Sequence, residues 1–329
     1  MSQTKPIYAK VIGTGRCLPN EPIANEQLVA RMAAKGIETS DEWIRERSGI
    51  TQRYWANDDQ PVSVLSEIAA RNALEMAGIS AEEIDFIIIG SSTPDMIFPS
   101  AACLVQAKLG AKNASAVDVQ AACTGFVYAL SMTNAMIQSG QIKTALVIGA
   151  ETISDVLDEE DRTTAVLFGD GAGAVVVQAS EEPGILACKL HADGELANIL
   201  YGDAKIRQGK VMGDPRIKMD GQAVFKTAVT VLPESAEATL AAANMPIEQL
   251  DWYIPHQANI RIIQSACKRL GYPMEKTIVT VDQHGNTSAA SVPLALDTAV
   301  RDGRIQKGQT VLMQGVGGGF TWGSVLMKF

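Results

Sequence analysis

The sequence is short of aromatic residues, of histidine and of positive charge. Aromatic side chains make up 5% of the 329 residues, there are 3 histidines, and the formal net charge is -9. Because phosphate contacts need clustered Lys and Arg, this charge argues against a general nucleic-acid binder, and any acidic partner must be met by a local basic patch. The abundance of Ala, Val, Ile and Gly instead favours tightly packed α/β layers.

Long apolar runs, paired cysteines and linkers are also missing. No apolar run reaches the ~18 residues of a membrane span and no basic-then-apolar leader opens the chain, which predicts a soluble, cytoplasmic protein with no membrane partner. The 5 cysteines are scattered and include no Cys-x-x-Cys pair, which argues against structural disulfides and a zinc site. No low-complexity or Pro/Gly/Ser-rich stretch divides a chain long enough for about two domains, so we expect the domains to pack together.

Two patterns of the sequence occur twice. Residues 73–88 and 239–254 both indicate a helix, a loop and a buried strand. Residues 139–149 and 302–313 both indicate a glycine-containing turn that leads into a strand. Helices that alternate with short, apolar, β-branched strands indicate parallel sheets covered on both faces. Both patterns keep the same order at nearly the same offset, so we predict an internal duplication in which Asn286 falls opposite Cys123.

Three polar side chains lie at predicted element boundaries in distant parts of the chain. Cys123 precedes an apolar helix that ends near residue 138, Asn286 precedes a second helix, and His256 follows a strand. A thiol at a helix N-terminus meets the positive end of the dipole and free N–H groups, which favour the thiolate. An imidazole and an amide can donate two hydrogen bonds to one oxyanion. We therefore predict acyl transfer through a thioester on Cys123, followed by attack of a stabilised carbanion.

Other groups of the sequence have simpler interpretations. His284 is close to Asn286 and is expected to orient its loop, with direct chemistry as the alternative. The glycines of residues 169–173 lead into a strand, so the helix context of a dinucleotide-binding loop is missing. The glycines of residues 317–319 either donate a backbone N–H to an oxyanion or form a tight turn. The remaining cysteines are expected to be small buried hydrophobes; they are Cys17, Cys103, Cys188 and Cys267.

Specific motifs follow one another along the chain. They are Thr39-Ser40-Asp41-Glu42-Trp43-Ile44, Phe98-Pro99-Ser100-Ala101-Ala102-Cys103, Ala121-Ala122-Cys123-Thr124-Gly125-Phe126, residues 168–174, Pro255-His256-Gln257-Ala258-Asn259, Gly285-Asn286-Thr287-Ser288-Ala289-Ala290-Ser291 and Gly317-Gly318-Gly319-Phe320-Thr321-Trp322-Gly323. In this order, from about residue 8 to residue 329, the chain resembles β-ketoacyl-acyl carrier protein synthase III, the family of thiolase-fold condensing enzymes that starts type II fatty acid synthesis.

The resemblance implies an α/β, thiolase-like fold whose duplicated halves form a five-layered αβαβα arrangement. Residues 1–178 are then the half that carries the nucleophilic cysteine, and residues 179–329 are the half that carries the histidine and the asparagine.

The resemblance also implies an acyltransferase and a role for each active group. By this resemblance, Cys123 takes a short acyl group, first of all acetyl, from acyl-CoA, which is a substrate and not a permanently bound cofactor. His256 and Asn286 stabilise the enolate that forms when malonyl-acyl carrier protein loses CO2, and the N–H groups of Cys123 and Gly318 form the oxyanion hole. The products are 3-ketoacyl-acyl carrier protein, CO2 and CoA, and no metal is implied.

Further matched positions imply where the substrates bind. Phe98 bounds the acyl pocket from across a homodimer interface. Thr124 stands beside the nucleophile where the family often has Ala, and Val316 stands where it often has Phe, so the preferred acyl chain stays open. The positions that match coenzyme A contacts are Trp43, Arg47, Arg162 and Asn259.

A predicted helix shortly after His256 carries a basic stripe. Over residues 260–270, Arg261, Lys268 and Arg269 share one face while apolar side chains turn toward the core. On a chain of net negative charge, this stripe is a candidate dock for the acidic carrier protein, and a solvated helix face is the alternative.

Two other functions stay open beside the leading one. A related acyl-CoA condensing enzyme or acyltransferase of secondary metabolism or signal synthesis would use another acceptor, and a binding scaffold for acyl carrier protein would have no catalysis. Thiolases are disfavoured because no second cysteine lies between residues 316 and 329, and elongating synthases because Asn286 stands in place of their second histidine. Residues 196–216 have no assigned role.

Overall fold

Strands and helices alternate through both halves of the chain, of which the computed structural model describes residues 6–329. Within these residues the strands are Tyr8–Cys17 (β1), Ile23–Ala24 (β2), Gln52–Arg53 (β3), Phe86–Gly90 (β4), Ser115–Val119 (β5), Thr144–Glu151 (β6), Gly171–Ser180 (β7), Ile185–Ala192 (β8), Leu200–Tyr201 (β9), Lys205–Arg207 (β10), Lys210–Met212 (β11), Lys218–Met219 (β12), Trp252–Ile254 (β13), Thr310–Gly317 (β14) and Thr321–Lys328 (β15). The α-helices are Asn25–Ala33 (α1), Asp41–Ser48 (α2), Val62–Ala77 (α3), Ala101–Leu109 (α4), Gly125–Gln138 (α5), Arg162–Ala165 (α6), Gly221–Ala242 (α7), Ile260–Leu270 (α8), Val281–His284 (α9) and Ser291–Arg301 (α10).

Two mixed sheets form the framework. The first has the strand order β1-β7-β6-β4-β5 and the second the order β13-β14-β15-β8. In the first sheet β4 pairs in parallel with both β6 and β5, while β7 and β1 are antiparallel to their neighbours. In the second sheet β13 and β14 are parallel, and β15 and β8 complete it with antiparallel pairing. The prediction of parallel sheets is therefore only partly right. The short connection between β14 and β15 permits only antiparallel pairing, because a parallel neighbour needs a long crossover.

The helices cover both sheets and fill the space between them. Helices α3 and α4 pack on the outer face of the first sheet, and α7 packs on the second sheet with α8 beside it. Helices α5 and α10 lie between the sheets, where Phe126 and Leu296 share one buried cluster with Val147 of the first sheet and Met313 of the second. The layers therefore follow the predicted order αβαβα.

Glycines let the central helices approach the first sheet closely. A Cβ atom on Gly90 would lie 2.3 Å from the carbonyl carbon of Gly125, and one on Gly149 would lie 2.2 Å from the carbonyl oxygen of Ala289. The turns that open α5 and α10 therefore rest directly on β4 and β6, whose residues are fully buried. This contact brings both turns to the carboxyl ends of these strands, where open α/β sheets bind ligands.

The first repeated pattern, residues 73–88 and 239–254, corresponds to α3–β4 and to α7–β13. The two copies of the second pattern end in β6 and in β14. The predicted boundary after residue 178 falls inside β7, two residues before the end of that strand.

In the part of the chain that the structure describes, no helix combines the length and the apolar character needed to cross a membrane. Among residues 6–329, no cluster of three or more His, Cys, Asp or Glu side chains is arranged to hold a metal ion.

Candidate active site

Cys123 lies in a tight turn that opens the central helix α5. The turn Ala122–Thr124 is a 3-10 helix, and the next residue begins α5. Ala122 has a φ of 44°, in the left-handed region that costs a non-glycine residue roughly 1–2 kcal/mol. A matching turn, Ser288–Ala290, opens α10, and its first residue Ser288 has a φ of 50°. The two turns pack against each other.

The structure corrects the predicted symmetry of the active groups. Because Ala122 and Ser288 each open a left-handed turn, Cys123 corresponds to Ala289 and not to Asn286. Asn286 stands three residues earlier, in the loop before the second turn. The two repeats differ in length after these turns, because α5 has 14 residues and α10 has 11, so the offset taken from the later pattern misaligned the turns by three residues.

The thiol of Cys123 is buried, and its surroundings oppose its ionisation. Burial raises the pKa of Cys123 to about 12, the charge of Glu151 raises it further, and a hydrogen bond with Ser288 lowers it. The prediction that the helix N-terminus favours the thiolate is therefore wrong for the free protein. Removal of the thiol from water is the largest cause of the raised pKa, because a buried charge loses most of its solvation.

His256 follows β13 and is held as a neutral imidazole. Burial lowers its pKa to about 3. Its Nδ1 lies 2.6 Å from the hydroxyl of Ser291, and that hydroxyl accepts the N–H of Gln257 at 3.3 Å. The Ser291 hydroxyl can donate its proton to Nδ1, and in that tautomer the imidazole carries its own proton on Nε2.

Asn286 is fixed in a loop by backbone and side-chain hydrogen bonds. Its Oδ1 accepts the N–H of Ser288 at 2.9 Å, which leaves the Nδ2 hydrogens to donate elsewhere. Its backbone N–H donates to Leu167 at 2.8 Å, and its carbonyl accepts from Gly169 at 3.0 Å. The glycine-rich segment after Phe168 thus holds the Asn286 loop, a role that the sequence pattern did not reveal. His284 is the last residue of α9, immediately before this loop, and it lines neither of the two cavities that border Cys123.

Cys123 lies between these two cavities. The first, of about 760 Å³, is lined by Cys123, His256 and Asn286 together, and by Val316. The second, of about 580 Å³, is lined by Cys123, Ser288 and Gly318. Residues 196–216 also have a place, because six of them line the second cavity; they are Ala197, Leu200, Tyr201, Gly202, Ala204 and Pro215.

The positions matched to coenzyme A gather at the first cavity. Trp43, Arg47 and Asn259 line it, and the amide of Asn259 donates to the carbonyl of Arg47 at 2.8 Å. The guanidinium carbons of Arg47 and Arg162 lie 5.4 and 4.9 Å from the centre of the Trp43 ring. These residues therefore form one aromatic and basic surface at the cavity mouth.

The positions matched to the acyl pocket are placed differently. Thr124 is fully buried and lines neither cavity; its hydroxyl donates to the carbonyl of Thr321 at 3.0 Å. Val316 lines the first cavity and not the second. Phe98 is 81% exposed, and the neighbouring Ile97 is 74% exposed.

Among the other cysteines Cys103 is exposed, so the expectation that it is buried is wrong, because its side of α4 faces outward.

The basic stripe of α8 starts at the mouth of the first cavity. Arg261 lines that cavity, and its guanidinium carbon lies 5.8 Å from the centre of the Phe225 ring. Lys268 and Arg269 continue the stripe on the exposed side, while Ile263 and Cys267 are buried. Arg269 approaches the carboxylate of Glu234 at 3.4 Å.

Comparisons with known proteins agree with this arrangement. The family model described as 3-oxoacyl-[acyl-carrier-protein (ACP)] synthase III matches residues 117–194, and the model of its C-terminal part matches residues 240–329. A 3-oxoacyl-[acyl-carrier-protein] synthase III from Aquifex aeolicus VF5 is 44% identical, with a TM-score of 0.90 over 98% of this chain and 100% of that chain. The enzyme of the same name from Pseudomonas aeruginosa PAO1 is 38% identical, with a TM-score of 0.90 over 98% of both chains. The priming β-ketosynthase from the R1128 polyketide biosynthetic pathway is 35% identical, with a TM-score of 0.90 over 100% of this chain and 98% of that chain.

Proposed function

The chain belongs to the 3-oxoacyl-[acyl-carrier-protein] synthase III family of condensing acyltransferases, and from this premise we propose that Cys123 takes a short acyl group from acyl-CoA and joins it to malonyl-acyl carrier protein. The observation that carries the proposal is the position of Cys123 between two cavities, with His256 and Asn286 in the first. Acetyl-CoA is the first candidate donor, and it acts as a substrate, not as a resident cofactor.

In the first half-reaction the thioester of acyl-CoA reaches Cys123 from the first cavity. The aromatic and basic surface of Trp43, Arg47 and Asn259 suits the adenine and phosphates of coenzyme A. An adenine stacked between Trp43 and Arg162 requires Arg162 to move outward, because 4.9 Å leaves no room for a ring between them. The acyl chain then enters the second cavity, and the N–H groups of Cys123 and Gly318 receive the oxyanion.

In the second half-reaction malonyl-acyl carrier protein loses CO2 and becomes an enolate. His256 Nε2–H and Asn286 Nδ2–H are neutral donors in a buried cavity, which is the environment in which hydrogen bonds best stabilise a developing oxyanion. The enolate carbon attacks the acyl group on Cys123, which restores the cysteine and releases 3-ketoacyl-acyl carrier protein.

The exposed face of α8 is the proposed dock for the carrier protein. Arg261, Lys268 and Arg269 form a basic stripe on a chain of net charge -9, and the stripe ends at the cavity of His256. An acidic partner held there can send its thioester arm toward His256 and Asn286.

A homodimer is proposed from the exposed apolar loop before α4. Met96, Ile97 and Phe98 are 46%, 74% and 81% exposed, and large apolar clusters of this kind mark contact surfaces. Strand β5, which follows α4, is an edge strand of the first sheet among residues 6–329, so a second copy can cover both the loop and this edge.

A second candidate function differs only in the fate of the condensation product. The 35% identity to a polyketide priming β-ketosynthase supports the same chemistry in specialised metabolism, with another acyl group or another carrier protein. The scaffold without catalysis is not retained, because the family is one of enzymes.

Incubation with a series of acyl-CoAs followed by intact-mass measurement tests the proposal. We expect one acyl adduct per chain, strongest with a short acyl group and absent in Cys123→Ser, because a hydroxyl ionises far less readily than a thiol. Addition of malonyl-acyl carrier protein should then release the adduct as 3-ketoacyl-acyl carrier protein. The absence of an adduct with every acyl-CoA would contradict the proposal, and comparison of carrier proteins separates the two candidate pathways.

A further inference from the structure

A buried carboxyl group lies close to the nucleophile and has no part in the acyl-transfer and decarboxylation steps. Glu151 is the last residue of β6 and is 0% exposed. Its Oε2 accepts the N–H of Ser92 at 3.0 Å and the hydroxyls of Thr93 at 2.6 Å and Ser91 at 3.3 Å. Among residues 6–329, no Lys, Arg or His forms an ion pair with it. A buried acid without a cation is costly, and such groups cluster at functional sites.

Ser288 connects this carboxyl group to the active site. Its hydroxyl donates to Oε1 of Glu151 at 3.0 Å, and its backbone N–H donates to Asn286. The turn that it opens packs on the turn of Cys123, and both residues line the second cavity. While the single hydrogen of the Ser288 hydroxyl is donated to Glu151, the oxygen can accept a hydrogen from the neutral Cys123 thiol. The same hydroxyl can instead donate to the thiolate, which is the interaction that lowers the pKa of Cys123.

The position of Glu151 follows from the packing of β6. Gly149 and Glu151 are two residues apart on one strand, so they face the same side of the sheet. Gly149 lies against the carbonyl of Ala289, and Glu151 therefore faces the neighbouring Ser288. The left-handed conformation of Ser288 completes this geometry, and strained residues of this kind concentrate at functional sites.

The acid–base properties of the group suit a proton acceptor. Burial raises the pKa of Glu151 to about 7, and the hydroxyl and N–H donors around it partly offset that shift. A base with a pKa near the working pH is the most effective in general base catalysis. The titratable groups nearby are Cys123, which faces it through Ser288, and His256, which lines the other cavity and is bound to Ser291.

We propose that Ser288 and Glu151 form a proton relay that deprotonates Cys123 as it attacks acyl-CoA. The thiol gives its proton to the Ser288 oxygen while Ser288 passes its own proton to the Glu151 carboxylate. A bond forms between the Cys123 sulfur and the thioester carbon, and the bond from that carbon to the CoA sulfur breaks. Glu151 then releases its proton to solvent as the departing CoA thiolate takes one up. The site carries one negative charge throughout, so a thiolate and a carboxylate never face each other.

The relay rests on the proposed function, because it serves the acylation of Cys123. It concerns a positioning group, Glu151, that acts through Ser288 without touching the substrate. A merely structural Glu151 would hold the turn of Ser288 without receiving a proton, so acylation would not require its carboxylate form and would not rise with pH as Glu151 ionises. The pH profile of acylation therefore separates the two roles.

The test compares Glu151→Gln and Ser288→Ala with the wild-type protein. The initial rate of Cys123 labelling is measured across pH with radioactive acetyl-CoA and, separately, with 4-nitrophenyl acetate, a small ester that does not need the coenzyme A surface. We expect the wild-type rate to rise with pH through about 7, where Glu151 ionises. Each variant should be slower by about 10²–10⁴-fold near neutral pH and lack that step. The double variant should be no slower than either single one, because the two groups act as one unit.

Asp170→Asn is the matched control. Asp170 is another buried carboxyl group held by hydroxyl and N–H donors, from Ser154 and Ala56, but it lines neither cavity. Its variant should keep the wild-type step in the pH profile. If Glu151→Gln keeps the wild-type rate and profile, or labels faster because a repulsive charge is gone, the relay is wrong. Labelling by the ester but not by any acyl-CoA would instead overturn the proposed substrate and leave the relay to be judged on the ester profile.

Discussion

The neutral state of His256 decides what this side chain can contribute. Because burial lowers its pKa to about 3, the imidazole cannot act as a cation near neutral pH. It can donate from Nε2, as Asn286 can donate from Nδ2, and neither group needs to transfer a proton to stabilise an enolate. The two half-reactions should therefore depend on different residues.

Asn286→Ala and His256→Ala should separate acylation from decarboxylation. We expect both variants to accept a radioactive acetyl group on Cys123, while the release of CO2 from malonyl-acyl carrier protein falls by about 10²–10³-fold for each. The measurement is paired on one preparation, with label on the protein from acetyl-CoA and CO2 from the malonyl substrate.

His191→Ala is the control for this pair. His191 is exposed, stacks on Trp322 with ring centres 5.5 Å apart and lines neither cavity, so both half-reactions should be unchanged. Loss of acylation with intact decarboxylation in Asn286→Ala would show that the proposed division of roles is wrong.

Single residues were predictable where their type and their boundary position coincide. Cys123, His256 and Asn286 stand at the ends of elements, and the structure brings all three to one cavity. The ionisation of Cys123 was not predictable, because its burial depends on layers that are distant in sequence. Glu151 also escaped notice, although a charged residue that ends a strand of apolar and small residues was a signal that could have revealed it.

At the scale of secondary structure, the proposed carrier-protein dock on α8 meets the proposed coenzyme A surface at one residue. The N-terminal Arg261 of this helix lines the first cavity, whereas Lys268 lies two turns further along the exposed stripe and lines neither cavity. A change at Arg261 can therefore disturb both coenzyme A and the carrier protein. Lys268 offers a cleaner test of docking alone.

Lys268→Glu should weaken the use of malonyl-acyl carrier protein and spare acylation by acetyl-CoA. Reversal of one charge at the edge of an interface mainly slows association, so we expect KM for the carrier protein to rise several-fold at low salt. The difference should shrink as salt is added, because surface charges are screened within about 8 Å at physiological ionic strength. Steady-state kinetics at two salt concentrations measure this.

Lys307→Glu provides the same change of charge at another place. Lys307 is exposed in the turn before β14, at the opposite end of that strand from Gly317 and Cys123. It should leave KM for the carrier protein unchanged. An equal loss of acylation and condensation in Lys268→Glu would indicate damage to the fold and not to a docking surface.

The elements were predictable to the extent that their patterns are local. Helix α5 and the strands β4 and β6 follow from runs of apolar residues, and α8 follows from apolar residues at helical spacing opposite a basic face. Sheet direction was less predictable, because the pairing of β15 depends on a short turn after β14. Residues 196–216 form a 3-10 turn and short, exposed strands beside the second cavity, and such irregular segments carry no periodicity from which a position can be inferred.

For the whole molecule, buried ionisable groups of opposite type balance each other against pH. Burial raises the pKa of Glu151 to about 7 and that of Asp170 to about 6, and it lowers the pKa of His256 to about 3 and that of His284 to about 4. The stability from the two carboxyl groups is full below their unfolded pKa values and is lost as pH rises through 6 to 7. The stability from the two histidines is full above the unfolded value of 6.5 and is lost as pH falls toward 4 and 3.

Glu151→Gln should shift this balance, because an amide does not titrate. Replacement of the carboxyl group by an amide also removes a hydrogen-bond acceptor, which changes the free energy of unfolding by an amount that does not depend on pH. The informative quantity is therefore the difference in unfolding free energy between variant and wild type, compared at two pH values. Between about pH 5 and 8 that difference should move by about 2–3 kcal/mol in favour of the variant, since the wild type must carry a buried charge at the higher pH. Urea denaturation at both pH values measures it, and the histidine contributions cancel because both proteins share them.

Asp170→Asn calibrates the size of this shift. The difference in unfolding free energy between Asp170→Asn and wild type should change by roughly half as much between pH 5 and 8. The pKa of Asp170 is raised only to about 6, so much of its effect on stability falls below this pH range. A difference for Glu151→Gln that does not change with pH would mean that Glu151 titrates as an ordinary exposed carboxyl group. Such a group would already be ionised well below neutral pH, so it would not titrate near pH 7 as the relay through Ser288 requires.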